Sequence, residues 1–253
     1  MRSTFRVISR FFPSLLAGIA SGTVMNLDLA QAATQASDEN ARIASAIGIN
    51  PAHRVTTVKP AGTTSLVLGT SSGVHAWHND HYIRRMRVTK EDPVYNYLQQ
   101  HHSNLVADDV YDSDRTAVLS FPQRAPAGAI LRSEPALSLL ARVAQLHQRW
   151  IVPGHRHGAN TNNVSTTVSV KPHEWAEVGA WMWQHRNAYN GLCVLPYSNH
   201  TYQQAPFEDC SEDEYTRLSQ HAYQMDLTQV KEERDATAFQ LAPACAGQQC
   251  DVL

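Results

Sequence analysis

Thr56-Thr57-Val58-Lys59-Pro60-Ala61-Gly62-Thr63-Thr64-Ser65-Leu66-Val67-Leu68-Gly69 reads as a strand end, a tight turn and the first turn of a helix. The β-branched residues from Val55 to Val58 suit a strand. Pro60 lacks a backbone N–H but fits the start of a helix, where that donor has no partner within the helix anyway. Gly62 lets backbone approach a ligand closely. Thr63, Thr64 and Ser65 bring hydroxyls beside the N-terminal N–H groups, which together suit an anion such as phosphate. The alternative is an ordinary helix cap, since Thr and Ser cap helices whatever the function. The glycine spacing matches neither a P-loop nor a dinucleotide fingerprint, so this stretch taken alone favours the cap.

The flanks bound the choice. Asp38 to Ile49 has helical spacing at Ile43, Ala46 and Ile47, with Ser37 or Asp38 as the expected cap and Gly48 as the stop. Downstream, His75, His78 and His81 recur at three-residue spacing, and His155 and His157 form a second pair. Either group offers imidazoles to a metal, yet no further ligand follows at a metalloprotease spacing, so pocket-lining and solvated loops are the readings adopted. On a strand from Tyr82 to Val88, Arg85 and Arg87 face the same way, where they can fork onto phosphates or simply form ion pairs. Pro93 to His102 predicts a helix and Thr116 to Pro122 a strand. Glu134 to Trp150 is the clearest helix, with Leu137, Leu140, Ala144 and Trp150 on a buried face. Asn160 to Val170 predicts a strand, the segment through Trp183 a helix, and Gly191 to Pro196 a second strand. That order implies a parallel pair with a crossover. Ser211 and Glu214 make a capping box.

The 253 residues suffice for one good core or part of a larger domain. Charged residues are 17% and the net charge is −2, so no polybasic nucleic-acid surface is expected. No apolar run is long enough to span a bilayer. The four cysteines, Cys193, Cys210, Cys245 and Cys250, are too few for a disulfide scaffold and fit a reducing compartment. Cys245 and Cys250 flank Gly247 near the C-terminus, a spacing that can close a disulfide and exchange thiols. Residues 1–37 differ from the rest. Arg2, Arg6 and Arg10 precede an apolar run with no acid before Asp28, a pattern shared by targeting peptides and by a truncated or foreign N-terminus, and the latter is the expectation here.

Arg54 to Ser65, continuing into Gly73-Val74-His75 and Tyr82-Ile83-Arg84-Arg85-Met86-Arg87, resembles the substrate-phosphate region of adenosylcobalamin-dependent (class II) ribonucleoside-triphosphate reductases. Asn163 to Glu174, Leu195-Pro196-Tyr197 and Tyr202-Gln203-Gln204-Ala205-Pro206-Phe207-Glu208 extend the resemblance, and so does the terminal cysteine pair. It implies an α/β fold, the C-terminal part of a ten-stranded α/β barrel with a flexible C-terminal tail. Residues 38–228 would be the barrel half and 229–253 the mobile redox tail. Adenosylcobalamin is the implied cofactor, generating a cysteine thiyl radical that activates a ribonucleoside triphosphate. Pro60, Ala61, Gly62, Thr63, Thr64 and Ser65 would hold the substrate phosphates, Cys245 and Cys250 would relay electrons from thioredoxin, and His75 would line the nucleotide or cobalamin site. The location implied is cytoplasmic, with neither membrane nor nucleic acid as a partner. The Asn-x-Cys-x-Glu loop of the family is missing, as is an upstream cysteine pair, so the chain alone is expected to be inactive, being either the C-terminal piece of a longer reductase or a chain that completes a barrel with an N-terminal reductase chain in trans. The competing readings are a histidine-rich metallohydrolase and a non-catalytic nucleotide-binding fragment.

Overall fold

The computed structural model describes residues 14–15, 18–21, 24–60, 62–198, 202–222 and 224–231. In chain order the elements are β1 (Ser14–Leu15), α1 (Leu29–Ile47), β2 (Thr56–Thr57), α2 (Gly62–Val67), β3 (His81–Thr89), α3 (Pro93–His101), β4 (Val106–Asp108), β5 (Thr116–Arg124), α4 (Ala136–Leu146), β6 (Thr167–Val170), α5 (Trp175–Gln184), β7 (Cys193–Pro196), β8 (Phe207–Asp209) and α6 (Glu212–Ala222). The chain divides into two units, Met1–Asp80 with Ala125–Asn199, and His81–Arg124 with His200–Leu253.

The first unit is built on parallel strand pairs. β1 pairs with β2, and β6 with β7 through the register Thr167–Cys193 to Val170–Pro196. The crossover from β6 to β7 carries α5, as the sequence order implied. The core joins Leu29 and Ala33 of α1, Leu139, Leu140, Val143 and Leu146 of α4, and Val168 and Val170 of β6. Ile19 is fully buried in it as well. Ile19, Leu29 and Ala33 are thus part of this unit's core, where their apolar side chains leave water.

Helix α1 differs from expectation at its start. It begins after Asp28, whose Oδ1 accepts from the Gln31 N–H at 3.0 Å, and it runs unbroken through Ser37 and Asp38. Leu29, Ala33, Ala36, Ser37 and Ala44 form its buried face, so the apolar stripe starts nine residues earlier than the expected Asp38 cap. Gly48 ends it in the left-handed conformation, as read from the sequence.

Helix α4 is shorter than expected and widens into a π-turn over His147–Ile151. Its N-terminus has no cap of its own. Glu174, 7% exposed, accepts there from Ala136 N–H at 3.1 Å and from Lys171 N–H at 2.9 Å. Burial alone would raise this carboxyl, but the two backbone donors outweigh it and hold it below the usual carboxylate range. The stabilisation is therefore complete above the unfolded value of about 4.3 and is lost as pH falls through the lower folded value. Glu174→Gln, with one acceptor in place of two, is expected to cost about 1–2 kcal/mol at pH 7. The wild-type advantage should shrink below about pH 4, measured by urea denaturation across pH.

The second unit carries an antiparallel sheet in the order β4-β5-β3-β8. β3 and β5 pair over nine positions, from His81–Arg124 to Thr89–Thr116. The expectation of a barrel segment throughout residues 38–228 therefore meets three separate sheets of two, four and two strands among the described residues. The arginine strand lies in this antiparallel sheet between β5 and β8. Helix α6 starts as read: Ser211 Oγ accepts from Glu214 N–H at 3.1 Å.

Candidate phosphate turn and its supports

Residues 55–58 are gripped from both sides, and that grip fixes where the chain enters the turn. Val55 N–H donates to Gly154 O at 2.9 Å, and Val58 bridges Val164 in parallel. Asn162 Nδ2 donates to Thr56 O at 2.8 Å. The buried Thr56 hydroxyl donates to Trp150 O at 2.6 Å, while Trp150 Nε1 donates to Thr57 O at 3.1 Å. Gly154 is needed for this approach, since a Cβ there would stand 2.0 Å from Thr56 Oγ1.

The chain leaves that grip at Lys59 and Pro60, both exposed, and enters α2 at Gly62, also exposed. The strand, turn and helix thus follow the order read from the sequence. Thr64 is exposed. Ser65 is only 4% exposed and its hydroxyl donates to Gly62 O at 3.1 Å, so it closes the first turn of its own helix instead of facing outward. Ala61 lies outside the described residues, as does the side chain of Thr63. The turn is braced from below by Gly73 at φ 59°, where a Cβ would come 2.5 Å from Lys59 O. Its neighbour Ser71 accepts from Ala20 N–H at 3.0 Å.

His75 is placed beside this brace but is committed to the backbone. Its Nδ1–H donates to Ser72 O at 2.9 Å and its Nε2 accepts from Thr167 N–H at 3.3 Å. A carbonyl can only accept and an amide can only donate, so these two bonds select the neutral Nδ1–H tautomer. The ring ties the loop to β6 and has no nitrogen left for a ligand. Its resemblance-based role as a nucleotide or cobalamin contact through the imidazole is not supported by this arrangement. The other histidines do not assemble either. His155 Nε2 bonds Gly158 O at 2.9 Å, His81 packs on Tyr215, and no group of three or more His, Cys, Asp or Glu able to hold a metal occurs among the described residues.

In the second unit, Arg85 and Arg87 do share a face of β3, but carboxylates from distant segments claim them. Arg85 pairs with Glu208 and donates to Ala205 O at 3.3 Å. Arg87 pairs with Asp109 at 2.5 Å. Burial would raise the Asp109 carboxyl, yet the Tyr111 N–H and the Arg87 guanidinium hold it below the usual range. Gln204 adds a clamp, accepting from Val110 N–H at 3.0 Å and donating to Asp108 O at 2.6 Å. The Gln204-Ala205-Pro206-Phe207-Glu208 run is thus wired to the arginine strand and the loop after β4. Sequence reading missed these partners because they lie 22 and 123 residues away.

Cys245 and Cys250 lie outside the described residues. Cys193 is exposed on β7, and Cys210 is half-buried. Burial, followed by the carboxylates of Glu214, Asp209 and Glu208, pushes the Cys210 thiol up to about 11. Such a thiol is a poor nucleophile at neutral pH. Its alkylation by iodoacetamide at pH 8 should be about 100-fold slower in the folded protein than in urea, read by peptide mass mapping.

With this geometry in view, comparison with known proteins gives a consistent result. The mixed α/β fold matches part of a class II ribonucleotide reductase: a crystal structure of a B12-dependent (class II) ribonucleotide reductase superposes with a TM-score of 0.61 at 22% identity, covering 76% of this chain and 26% of that one. The chain is homologous to adenosylcobalamin-dependent ribonucleoside-triphosphate reductases. The protein of that name from Lacticaseibacillus paracasei is 31% identical over 178 residues, 68% of this chain and 22% of its own length. That from Lactobacillus delbrueckii subsp. bulgaricus is 29% identical over 179 residues, 69% of this chain and 23% of its own. The chain therefore spans about a fifth of the length of the curated relatives it matches. No family model matches the sequence. No helix among the described residues is long and apolar enough to cross a membrane.

Proposed function

We propose that this chain is the C-terminal part of an adenosylcobalamin-dependent ribonucleoside-triphosphate reductase. In this reading it supplies the substrate-phosphate turn and a thiol relay, either as the end of a longer reductase or to an enzyme completed in trans. The observation that carries the reading is the homology over 178 residues, which includes two thirds of this chain. The exposed start of α2 at Gly62 and Thr64 supports the phosphate role, because the first N–H groups of a helix have no partners within it and attract anions. Pro60, Ala61 and Thr63 complete the turn, whereas Ser65 shapes it from within. Residues 38–228, the parallel pair β6–β7 among them, are this chain's contribution to a ten-stranded barrel, and residues 229–253 form the redox tail.

Cys245 and Cys250 reduce the active-site disulfide by thiol–disulfide exchange and are themselves reduced by thioredoxin. Adenosylcobalamin supplies the radical in the completed enzyme, and none of that step is assigned to His75. Residues 1–253 by themselves are expected to hold substrate without turning it over, since no Asn-x-Cys-x-Glu motif occurs in them.

The test is ribonucleoside-triphosphate reduction with adenosylcobalamin and thioredoxin, by this chain alone and with an N-terminal reductase chain added. Deoxyribonucleotide is expected only on mixing. Cys245→Ser and Cys250→Ser should then abolish thioredoxin-driven turnover while leaving one turnover of prereduced enzyme. Mixed chains that bind one another but form no product overturn the assignment.

A further inference from the structure

Three arginines follow one another closely on β3, and they are not treated alike. Arg85 and Arg87 are each neutralised by a carboxylate, Glu208 and Asp109. Arg84 has none among the described residues. Its guanidinium lies over the Phe207 ring, 5.1 Å from the centroid, and its Nε is buried without a hydrogen-bond partner. Phe207 stands directly across from Arg84 in the β3–β8 ladder, and Phe121 stands across from it in β5. The guanidinium is thus stacked on an aromatic ring of the neighbouring strand.

A half-buried guanidinium has given up part of its hydration, and an Nε left unpaired leaves that loss uncompensated. Burial indeed lowers the Arg84 pKa, with only the Tyr82 hydroxyl opposing it. The stacked ring meanwhile fixes the plane of the fork, which lowers the entropy lost when a two-oxygen acceptor docks.

We propose that Arg84 is an oxyanion receptor of the second unit, taking a phosphate or carboxylate group of a ligand through its guanidinium while Phe207 holds the plane. The phosphate turn belongs to the other unit, and this proposal does not rest on the reading of that turn. Arg85 and Arg87 do not share the role, since their forks are already occupied. Arg84 serves binding, and no chemical step is assigned to it.

The experiment is isothermal titration of the full chain with sodium tripolyphosphate and, in a second arm, with sodium succinate. The variants are Arg84→Met, Arg84→Lys and Arg115→Met, the last removing an exposed arginine of equal charge. The Gly62→Val background weakens the phosphate turn, so that failure of either site is read without the other. At least one probe is expected to bind in that background. Arg84→Met should weaken it at least tenfold, and Arg84→Lys should weaken it too by losing the fork. Arg115→Met should change it less than twofold. Binding by tripolyphosphate alone, succinate alone or both assigns the anion class. Absence of binding by both, an unaffected Arg84→Met, or an equal loss in Arg115→Met overturns the proposal. Should Arg84→Met fail to fold, Arg84→Lys alone decides, with unchanged affinity counting against the site.

Discussion

Trp150→Ala is expected to destabilise the protein by about 3–5 kcal/mol, the cost of emptying a large aromatic site in a packed core. Trp150 is 2% exposed and sits in the π-turn that follows α4. It also does more than fill space. Its indole N–H satisfies Thr57 O, and its own carbonyl receives the Thr56 hydroxyl. Alanine keeps the carbonyl but leaves Thr57 O without its indole donor, beneath the strand that leads into the turn. Trp150→Phe separates the two contributions, because it restores most of the apolar contact and still lacks the donor. It should cost about 1–2 kcal/mol. Both are measured as shifts in the urea midpoint at constant slope. Against a typical total of about 5–15 kcal/mol, the alanine loss is large enough to reduce the folded fraction at 37 °C. A loss below about 1 kcal/mol for Trp150→Ala would show that the site refills by collapse, and that the grip on residues 55–58 does not depend on this side chain.

The elements most legible in the sequence are those specified by neighbours along the chain. The Gly48 stop, the Ser211 cap, the helix after Pro93 and the strand-turn-helix at residues 56–67 each draw on contacts within a few residues, and each occurs where it was read. The parallel β6–β7 pair was legible for the same reason, since a helix between two strands leaves few other solutions. What escaped depended on residues far apart. Asp38 looked like a cap because a capping residue precedes a helical pattern there, but the apolar face of α1 extends back to Leu29 and moves the start to Asp28. The run from Asn160 was expected to be strand as far as Val170, yet only Thr167–Val170 is. Asn162 and Asn163 instead spend their side chains on Thr56 O and Gly191 O, which holds that stretch as a connecting segment. At the candidate site the backbone course of the turn was readable, while the inward Ser65 and the committed His75 were not. A serine near a helix start and a histidine in a loop have several partners open to them, and only the fold decides among these.

Gly73→Ala should separate the brace beneath the turn from the turn itself, and it is expected to abolish most phosphate binding. At φ 59° an alanine pays about 1–2 kcal/mol for the left-handed conformation. Its Cβ would also come 2.5 Å from Lys59 O and 3.2 Å from the Lys59 carbonyl carbon, both backbone atoms that cannot swing aside as a side chain would. The backbone at Lys59 and Pro60 must therefore move, carrying the start of α2 with it. A displacement of about 1 Å in a positioning element can cost on the order of 100-fold, so triphosphate affinity should fall by one to two orders of magnitude. Gly69→Ala is the matched control. Gly69 has the same φ of 59° but nothing within 4 Å of an added Cβ, so its alanine variant carries the conformational cost without the collision. Both variants should lose similar stability from backbone strain, with Gly73→Ala losing more, and only Gly73→Ala should lose triphosphate affinity by titration calorimetry. Affinity unchanged from wild type in both variants would mean that the 59–65 segment does not bind phosphate through its backbone. Equal loss in both would mean that the helix end at Gly69, and not the brace at Gly73, controls the turn.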